Sequence, residues 1–518
     1  MEYRIRERKD GKMAIFDKNG KMISPQWFNW ISLNGLIMGE SNYYIAKKDG
    51  KYAIFDVNGN QITGWFDMIY SNGLVEGESP YYVVVKNNKW AIFDKDGKMI
   101  TKEWFDYISK YWIYELYLCG LVRGESEYYI GRKGKKDAIF DKDGNRISDW
   151  FDKIYPSGLV KGESEYYLVL KDNKMAIFHK DGHQISQWFD KIEIDGLVKG
   201  ESNLYIAEKD GKMAIFDKDG DMITPGWFRW VYPHGLVSGE SDYYMVKKGK
   251  KGKKRDAIFH RNGNKIAEWH RIFPFGLLAG KSNYYIAEKD NKCAIFDVDG
   301  NQISPDWFDE IYIDGLVVGQ SKYYLARKDG KWAIFDINSK MITREWFDEI
   351  KPYGLVEGQS NLYIARKDGK QAIFDVSGNQ ISDWFNWIKE DGLVKGQSKY
   401  YIAGKDRKEA IFDINGNRVS DWFDEVYPHG LVRGESAYFI ACNKDKCAVF
   451  YKNGRKMSDD FPKKYIGYTD KLTFNENLGI VEVKDYNGLP KKSITSIEFS
   501  PVYPYKEEVI DYTKLLNI

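Results

Sequence analysis

Cysteine, histidine and long apolar runs are scarce in this chain of 518 residues. Four cysteines in so long a chain do not make a disulfide framework, and six histidines without regular spacing do not predict a zinc site. No segment approaches the roughly 18 apolar residues that a membrane-spanning helix needs. The N-terminal segment lacks a basic region followed by an apolar stretch, so it does not predict a signal peptide. These absences favour a cytoplasmic protein with no membrane partner.

An excess of one charge sign is also absent, because 78 Lys and Arg residues are balanced by 76 Asp and Glu residues, for a net charge of +2. A chain so balanced has no overall field to attract nucleic acid or an anionic membrane surface. A local exception is the basic run at residues 247–255. Runs of this kind are usually solvated loop tips, so nucleic acid is disfavoured as a partner.

The chain is built instead from copies of one sequence unit. An Ala-Ile-Phe or Ala-Val-Phe segment recurs twelve times, with its Phe at Phe16, Phe55, Phe93, Phe140, Phe178, Phe216, Phe259, Phe296, Phe335, Phe374, Phe412 and Phe450. Successive Phe residues lie 37 to 39 positions apart, except for one gap of 47 and one of 43. A fixed period of this size is typical of solenoids, propellers and similar arrays.

One unit reads YYLARKDGKWAIFDINSKMITREWFDEIKPYGLVEGQS and occupies residues 323–360. Its first two β-branched and aromatic runs flank an Asp-Gly pair, which is a strong hairpin signal. Further short runs after the later turns suggest four or five strands per unit. Glycines interrupt the chain about every ten residues and leave no window for a stable helix.

The sequence therefore predicts an all-β fold of about twelve β-meander repeats of 38–39 residues in tandem. We expect this array to occupy residues 1–457 and to form an open, solenoid-like superhelix. Residues 458–518 lose the repeat and are expected to form a β-rich C-terminal cap over its last face. The alternative is one or two β-propellers, since twelve units could form two six-bladed rings.

The segment KWAIFDKDGKMITKEWFDYI, residues 89–108, resembles the unit of the WG (KWG) β-repeat family of bacterial proteins. This chain departs from that family by having Ala where the family has Gly, and it keeps the preceding Trp only at Trp90 and Trp332. The resemblance implies a bacterial binding or structural module without catalytic residues. The same string is also similar to the shorter choline- and glucan-binding cell-wall repeats, which implies a carbohydrate ligand as the alternative.

Repeated carboxylates are the groups most able to support chemistry. The Asp of a Trp-Phe-Asp motif recurs at Asp67, Asp106, Asp152, Asp190, Asp309, Asp348 and Asp424. A catalytic pair is normally unique in a chain, so these copies favour hydrogen bonds to backbone N–H groups. Asp141 and Asp143 resemble the start of a calcium loop, but Arg146 stands where that loop needs Gly. We therefore predict hairpin turns, with no metal, no cofactor and no enzyme activity.

Two variable positions and one insertion are the candidates for recognition. The residue before Ala-Ile-Phe ranges from Trp90 to Asp137, so we expect that position to be partly exposed. The residue after Trp-Phe-Asp is mostly charged but is Trp in three repeats, and an insertion after Trp104 is rich in aromatic residues. The candidate partner-binding residues are Trp30, Tyr107, Tyr111, Trp112, Tyr114, Trp230 and Trp387.

These features favour a non-enzymatic scaffold that mediates protein–protein interaction inside a bacterial cell, because large aromatics dominate interface hot spots. The alternative function is a carbohydrate-binding or cell-wall-binding module at the cell surface. The competing structural interpretation is that the Trp residues pack on the next repeat. Cys442 and Cys447 flank a turn and can face each other, and we expect them to be reduced thiols.

Overall fold

A computed structural model shows a nearly all-β chain built on twelve antiparallel hairpins. It describes residues 3–8, 10–108, 119–249, 255–466, 471–475, 480–484 and 490–494. Within these ranges the strands form thirteen sheets, each with a linear strand order. The predicted all-β tandem repeat array is confirmed, and the separate sheets fit an open repeat array of the solenoid or propeller-like kind.

Each repeat contributes one hairpin, and in most repeats a two-residue turn closes it. In repeat 9 the turn residues Asp329 and Gly330 adopt φ of 50° and 77°, a left-handed conformation that Asp-Gly accepts readily. The first strands are Tyr3–Glu7, Tyr43–Lys48, Tyr81–Lys86, Tyr128–Lys133, Tyr166–Lys171, Leu204–Lys209, Tyr243–Lys248, Tyr284–Lys289, Tyr323–Lys328, Leu362–Lys367, Tyr400–Lys405 and Tyr438–Asn443. The second strands are Met13–Asp17, Lys51–Asp56, Lys89–Asp94, Lys136–Asp141, Lys174–His179, Lys212–Asp217, Arg255–His260, Lys292–Asp297, Lys331–Asp336, Lys370–Asp375, Lys408–Asp413 and Lys446–Tyr451.

A short strand connects each repeat to its successor. After the hairpin the chain returns along the second strand through single bridges, such as Trp332 with Phe347. It then pairs Glu349 with Arg366, in the first strand of the next hairpin. We name these segments linking strands. They are Trp30–Ile31, Met68–Ile69, Tyr107–Ile108, Lys153–Gly158, Lys191–Ile192, Trp230–Val231, Arg271–Phe273, Glu310–Ile311, Glu349–Ile350, Trp387–Ile388 and Glu425–Val426.

The prediction of four or five strands per repeat is wrong, because most sheets hold three. After the second turn the chain makes only isolated bridges to the second strand, such as Phe374 with Gln380 and Gln371 with Phe385, because a side-chain hydroxyl takes an N–H between them. In repeat 10 the N–H of Ile373 donates to Ser382 Oγ at 2.9 Å. The Gly-Leu-Val segment forms turns because its Gly, such as Gly354 with φ of 81°, leaves the extended region.

Both faces of a sheet are buried between its neighbours. On one face of repeat 10, Tyr363 packs with Leu325 and Ile334 of repeat 9. On the other face, Ile364 packs with Tyr401 of repeat 11. Burying one large apolar side chain contributes roughly 1.5–3 kcal/mol, so a lone repeat would lose this contribution on both faces. Stacking of successive sheets therefore stabilises the array.

Hydrogen bonds from the Gly-Leu-Val turns also join successive repeats. Gln359 Oε1 accepts the N–H of Gly354 at 3.1 Å, which closes the turn within one repeat. The Ser360 hydroxyl then donates to the carbonyl oxygen of Val394 in the next turn at 2.6 Å. Equivalent hydroxyl-to-carbonyl bonds of 2.5 to 2.6 Å occur in most other repeats.

The chain divides into two compact units by its internal contacts. The first contains residues 1–270 with 278–280, and the second contains residues 271–277 with 281–518. Helix in the described residues is limited to Gly120–Arg123, Phe275–Leu278 and Lys463–Tyr465. Across the same residues, no helix has both the length and the apolar character to cross a membrane.

Additional strands occur in repeats 7 and 12 and after the array. They are Lys265–Trp269, Phe461–Pro462, Lys471–Asn475, Ile480–Lys484 and Pro490–Ile494. The last three form a separate sheet. From this sheet Leu472, Val481 and Val483 are buried in one cluster with Ile440 of repeat 12. This sheet therefore packs on the last repeat, the place where the sequence predicts a cap.

Cys442 and Cys447 face each other across the last hairpin and form a disulfide. The expectation of two reduced thiols is corrected by this bond. Directly opposed residues of an antiparallel hairpin bring their β-carbons close together, so the register of this hairpin places the two sulfurs within reach.

Breaking this disulfide is expected to destabilise the last repeat. A cross-link over so short a loop contributes about 2 kcal/mol, which corresponds to a fall in Tm of about 4 °C. We expect this shift when thermal unfolding of the whole chain is followed with and without dithiothreitol. The double variant Cys442→Ala, Cys447→Ala is the control, since it should melt at the reduced value in both conditions. A wild-type Tm that ignores the reductant would contradict the prediction.

Candidate functional site

The sheets of repeats 2 to 12 each carry three paired residues that differ from repeat to repeat. They are the first residue of the linking strand, its partner in the first hairpin strand, and the partner of that residue in the second strand. We name each set a cross-strand triad. In chain order the triads of repeats 2 to 12 are Trp30/Lys47/Tyr52, Met68/Val85/Trp90, Tyr107/Arg132/Asp137, Lys153/Leu170/Met175, Lys191/Glu208/Met213, Trp230/Lys247/Asp256, Arg271/Glu288/Cys293, Glu310/Arg327/Trp332, Glu349/Arg366/Gln371, Trp387/Gly404/Glu409 and Glu425/Cys442/Cys447.

The triads lie at the edge of the buried interface between adjacent sheets. Each hairpin member is two positions from a core Ile or its equivalent and so lies on the same face of its strand. The second-strand member reaches across to the next sheet. Gln371 Oε1 accepts the N–H of Ile388 at 2.8 Å, and Glu409 Oε2 accepts that of Val426 at 2.6 Å. Variation at these positions changes the surface, while the core between sheets has nearly the same residues in every repeat.

The position before Ala-Ile-Phe is partly exposed, as expected, in six repeats and buried in the other six. Trp90 and Asp137 are among the buried residues. Side chains this different are buried there because the partners of the position change with it. Asp137 accepts Nε and Nη2 of Arg132 at 2.6 and 3.0 Å, and it also accepts the N–H of Ile154 at 3.2 Å. A buried carboxylate is tolerated when it is paired and hydrogen-bonded in this way.

Two large apolar side chains are exposed at the same position of successive sheets. Trp30 is 40% exposed in the triad of repeat 2, and Met68 is 44% exposed in the triad of repeat 3. The Trp30 ring meets the Tyr52 ring edge to face, with centroids 6.1 Å apart. The Lys47 ammonium lies 4.8 Å from the Tyr52 centroid. This part of the surface therefore offers an apolar centre with polar groups beside it.

Three further aromatic side chains form a cluster in and beside the triad of repeat 3. The Tyr70 ring stacks on Trp90 with centroids 4.8 Å apart, and the Tyr107 ring lies 4.3 Å from the same indole. Burial raises the pKa of Tyr70 to about 12, so its phenol stays neutral at physiological pH. Tyr107 begins the linking strand into repeat 4 and thereby joins two sheets. We name Trp30, Tyr52, Met68, Tyr70, Trp90 and Tyr107 the aromatic stretch.

The other predicted site residues are distributed along the chain. Trp230 is 42% exposed in the triad of repeat 7. Trp387 is half-buried and lies over Gly404, where an added Cβ would come within 2.0 Å of the indole. The three Trp residues thus occupy equivalent positions in different sheets and not neighbouring ones. The predicted residues Tyr111, Trp112 and Tyr114 lie outside the described residues.

Sequence reasoning missed Met68 and Tyr70 as site residues. Neither belongs to a motif, and Met is an ordinary core residue. The signal that could have found them is the pairing of each linking strand with the following hairpin, which places Met68 opposite Val85. That pairing joins two repeats and is not visible in the sequence of one.

The recurrent Asp of Trp-Phe-Asp joins adjacent repeats. Asp67 Oδ1 accepts a hydrogen bond from the Lys51 ammonium of its own repeat, and Oδ2 accepts the N–H of Asn87 in the next hairpin turn at 2.7 Å. Equivalent N–H bonds of 2.6 to 2.9 Å occur at the other six positions. The predicted backbone-bonding role is confirmed.

The Asp-x-Asp-Gly turns also use their carboxylates on backbone groups. Asp141 Oδ1 accepts the N–H of Asp143 at 3.0 Å and that of Asn145 at 2.7 Å. This is the hydrogen bonding of an Asx turn, which confirms the predicted hairpin-turn chemistry of these residues.

Acid is expected to weaken the junctions between repeats. The Lys51 ammonium and the N–H of Asn87 hold the pKa of Asp67 below its ordinary value of 3.8, and Lys136 has the same effect on Asp152. A carboxyl whose pKa is lowered on folding stabilises the fold above its unfolded pKa, and the contribution is lost as pH falls through the folded pKa. Tm should therefore be level down to about pH 5 and decline below about pH 4.

Thermal melts across this pH range measure the effect. Asp67→Asn is the matched variant, because Asn29 and Asn386 already accept the equivalent N–H through Oδ1, at 3.1 and 3.2 Å. It should be slightly less stable at pH 7 and should lose less on acidification. A Tm that rises below pH 4 would show that these carboxylates do not stabilise the fold.

Comparison with known proteins assigns this chain to no family. No family model and no curated protein matches it. Similar solved structures include a eukaryotic initiation factor, at a TM-score of 0.24 and 13% identity over 67% of this chain and 96% of that one. Hsv2 of Kluyveromyces lactis matches at a TM-score of 0.23 and 9% identity, over 57% of this chain and 96% of Hsv2. BamB of Moraxella catarrhalis matches at a TM-score of 0.20 and 13% identity, over 66% of this chain and 91% of BamB. These TM-scores are too low to give the chain a function.

Proposed function

We propose that this chain is a non-enzymatic repeat scaffold that binds a partner protein through the aromatic stretch. The observation that carries the proposal is the exposure of Trp30 and Met68 at one position of successive sheets. Repeats 5 and 6 have Lys153 and Lys191 at that position, so the fold does not require an apolar residue there. Exposed apolar patches with polar neighbours mark interaction sites on soluble proteins.

The geometry suits an anchor in a partner interface. Burial of an exposed indole against a partner releases water from a large apolar area, and Trp is among the residues most enriched at hot spots. Tyr52 packs against Trp30 in the same sheet, and its phenol and the Lys47 ammonium provide polar groups at the rim. The cluster of Tyr70, Trp90 and Tyr107 lies next to Met68 in the array and limits rearrangement on binding. Preorganisation of this kind reduces the entropy lost on association.

The absence of enzyme activity is part of the proposal. It is supported by the recurrent carboxylates, which are engaged by lysines and backbone N–H groups at the junctions and turns. From the sequence we further infer a bacterial, cytoplasmic protein of the WG-repeat kind that needs no cofactor and has neither nucleic acid nor membrane as a partner. These inferences rest on the balanced charge and on the resemblance of the repeats.

The central test is Trp30→Lys, which gives repeat 2 the residue that repeats 5 and 6 carry. Loss of a hot spot costs about 2 kcal/mol or more, so the affinity for a partner isolated from the native cell should fall about thirtyfold. Tm should stay within a few degrees of wild type. Lys191→Ala, at the same position of repeat 6, is the control and should bind normally. Undiminished binding by a folded Trp30→Lys variant would contradict the proposal.

Trp230 and the insertion supply a second test of the same function. Trp230→Ala and Trp112→Ala should weaken partner capture without unfolding the chain if these residues extend the interface. Loss of folding would identify them as packing residues. The carbohydrate-binding alternative takes over if no protein partner is captured and a glycan array binds the wild-type chain in a Trp30-dependent manner.

A further inference from the structure

A cavity of about 540 Å³ lies in the second unit, between repeats 9 and 11. Three successive Gly-Leu-Val turns and the starts of two hairpin strands form its walls. Leu355, Leu362 and Leu393 give it an apolar interior, and Ile414, which is 39% exposed, lies at its edge. Its volume is in the range of small-molecule binding pockets, about 300–1,000 Å³.

The cavity exists because Leu362 stands where ten of the twelve repeats have Tyr. In repeat 9 the residue at this position is Tyr323, which packs against the cluster that contains Leu355. Leu362 packs against the equivalent cluster of the next repeat, which contains Leu393. A Tyr ring at position 362 would therefore lie over Leu393, inside the cavity. The space has the place and the surroundings of a missing aromatic ring.

The rim of the cavity has an amide side chain at a turn position where most repeats have a carboxylate. Gln320 and Gln359 occupy a turn position that is Glu in seven repeats. Each accepts a backbone N–H through Oε1, from Gly315 at 3.0 Å and from Gly354 at 3.1 Å. The amide NH2 group of Gln320 therefore remains as a donor, and that of Gln359 donates one hydrogen to Glu357 Oε2 at 3.1 Å and keeps the other. The Lys322 ammonium adds another donor at the cavity wall. A ligand with oxygen acceptors beside its ring fits this chemistry.

Repeat 6 provides an internal contrast. Leu204 has the same Tyr-to-Leu change, but Glu163, Glu201 and Arg261 stand where Gln320, Gln359 and Ile414 stand around Leu362. Leu204 is buried, and Arg261 pairs with Asp242 at 3.0 Å. The loss of the Tyr ring thus coincides with two Gln residues and an apolar Ile around it only at Leu362.

We infer that this cavity binds the ring of a Tyr or Phe side chain presented by the partner protein, an inference that rests on the proposed scaffold function. The ring takes the place over Leu393 that a Tyr of the chain itself fills in ten repeats. The Gln320 and Gln359 amides and the Lys322 ammonium donate to backbone carbonyl oxygens of the partner on either side of the ring. The cavity is thus a second recognition site, formed by different residues from those of the aromatic stretch.

The experiment titrates the full chain with the peptide acetyl-Gly-Ser-Tyr-Ser-Gly-amide and with the same peptide carrying Leu for Tyr. Binding is followed by saturation-transfer NMR. The Tyr peptide should bind, and the Leu peptide should bind at least about tenfold more weakly. Leu362→Tyr places the ring of the other repeats over Leu393, where the ring of the peptide is inferred to lie, and should reduce binding of the Tyr peptide about tenfold or more. Leu204→Tyr is the matched control and should leave binding unchanged.

A second variant guards against an effect of Leu362→Tyr on folding. Gln320→Glu with Gln359→Glu restores the acidic rim of the other repeats, leaves the cavity open, and should weaken binding several-fold. Equal binding of the Tyr peptide to Leu362→Tyr and wild type would overturn the inference. Binding of free 4-methylphenol, which has the ring but neither flanking carbonyl oxygen, as tight as that of the peptide would also overturn it, in favour of a small-molecule site.

These measurements distinguish a failure of the proposed scaffold function from a failure of the cavity inference. If Trp30→Lys loses the cellular partner while Leu362→Tyr keeps both partner and peptide binding, the scaffold function stands and the cavity inference is wrong. If Trp30→Lys keeps the partner, the proposed role of the aromatic stretch fails whatever the peptide does.

Discussion

Arg132→Leu should destabilise repeat 4 by about 3–5 kcal/mol, because it leaves a buried carboxylate without its counter-ion. Asp137 is only 5% exposed, and its two oxygens accept Arg132 Nε and Nη2 at 2.6 and 3.0 Å. The N–H of Ile154 remains as a partner at 3.2 Å, but one neutral donor cannot replace a guanidinium. Urea denaturation followed by circular dichroism should show the loss as an early transition.

The matched control restores a pair that the chain already uses. Repeat 5 has Leu170 and Met175 at the positions of Arg132 and Asp137, and they pair across the two equivalent strands of its own hairpin. The double variant Arg132→Leu, Asp137→Met should therefore recover most of the lost stability, since an apolar pair of suitable size often replaces a buried ion pair without loss. A single variant as stable as wild type would mean that the ion pair contributes nothing to folding.

Gly354→Ala should destabilise the fold by a comparable amount, about 4 kcal/mol or more. Its φ is 81°, and an added Cβ would lie 2.2 Å from the carbonyl oxygen of Leu362 and 2.9 Å from that of Val394. Both contacts are with backbone, one at the start of the hairpin strand of repeat 10 and one in the next Gly-Leu-Val turn, so neither can move without breaking the stacking of repeats. The strain of the left-handed backbone conformation therefore adds to the steric clash of the new Cβ, which no local movement can relieve.

Gly369→Ala separates the effect of backbone strain from the effect of the steric clash. Gly369 lies in the hairpin turn of repeat 10 with φ of 77°, and an added Cβ there has nothing within 4 Å. It should cost only the conformational strain of about 1–2 kcal/mol. Denaturation of the two variants under the same conditions gives the comparison. Equal losses would show that conformation alone, and not the contact between turns, explains the need for Gly354.

The sequence by itself determined what depends on neighbours in the chain. The hairpins follow from paired runs around Asp-Gly, and their turns close between residues adjacent in sequence, as at Asp329 and Gly330. The period of the Phe residues determined the number of repeats, and Asp141 was assigned to its turn because its partners are two and four residues away. Exposed Trp30 and Trp230 were found because a large aromatic stands where other repeats are charged.

Tertiary structure decided everything that passes between repeats. The linking strands pair with the following hairpin, so Met68 joined the candidate site only through a neighbour in the next repeat, Val85. Asp67 bonds to Asn87, 20 residues away, and the burial of Asp137 became acceptable only with Arg132 opposite it. A regular repeat leaves many registers between units equally compatible with its sequence. Packing of one sheet on the next selects the register, because only that arrangement buries both faces and satisfies the backbone groups between them.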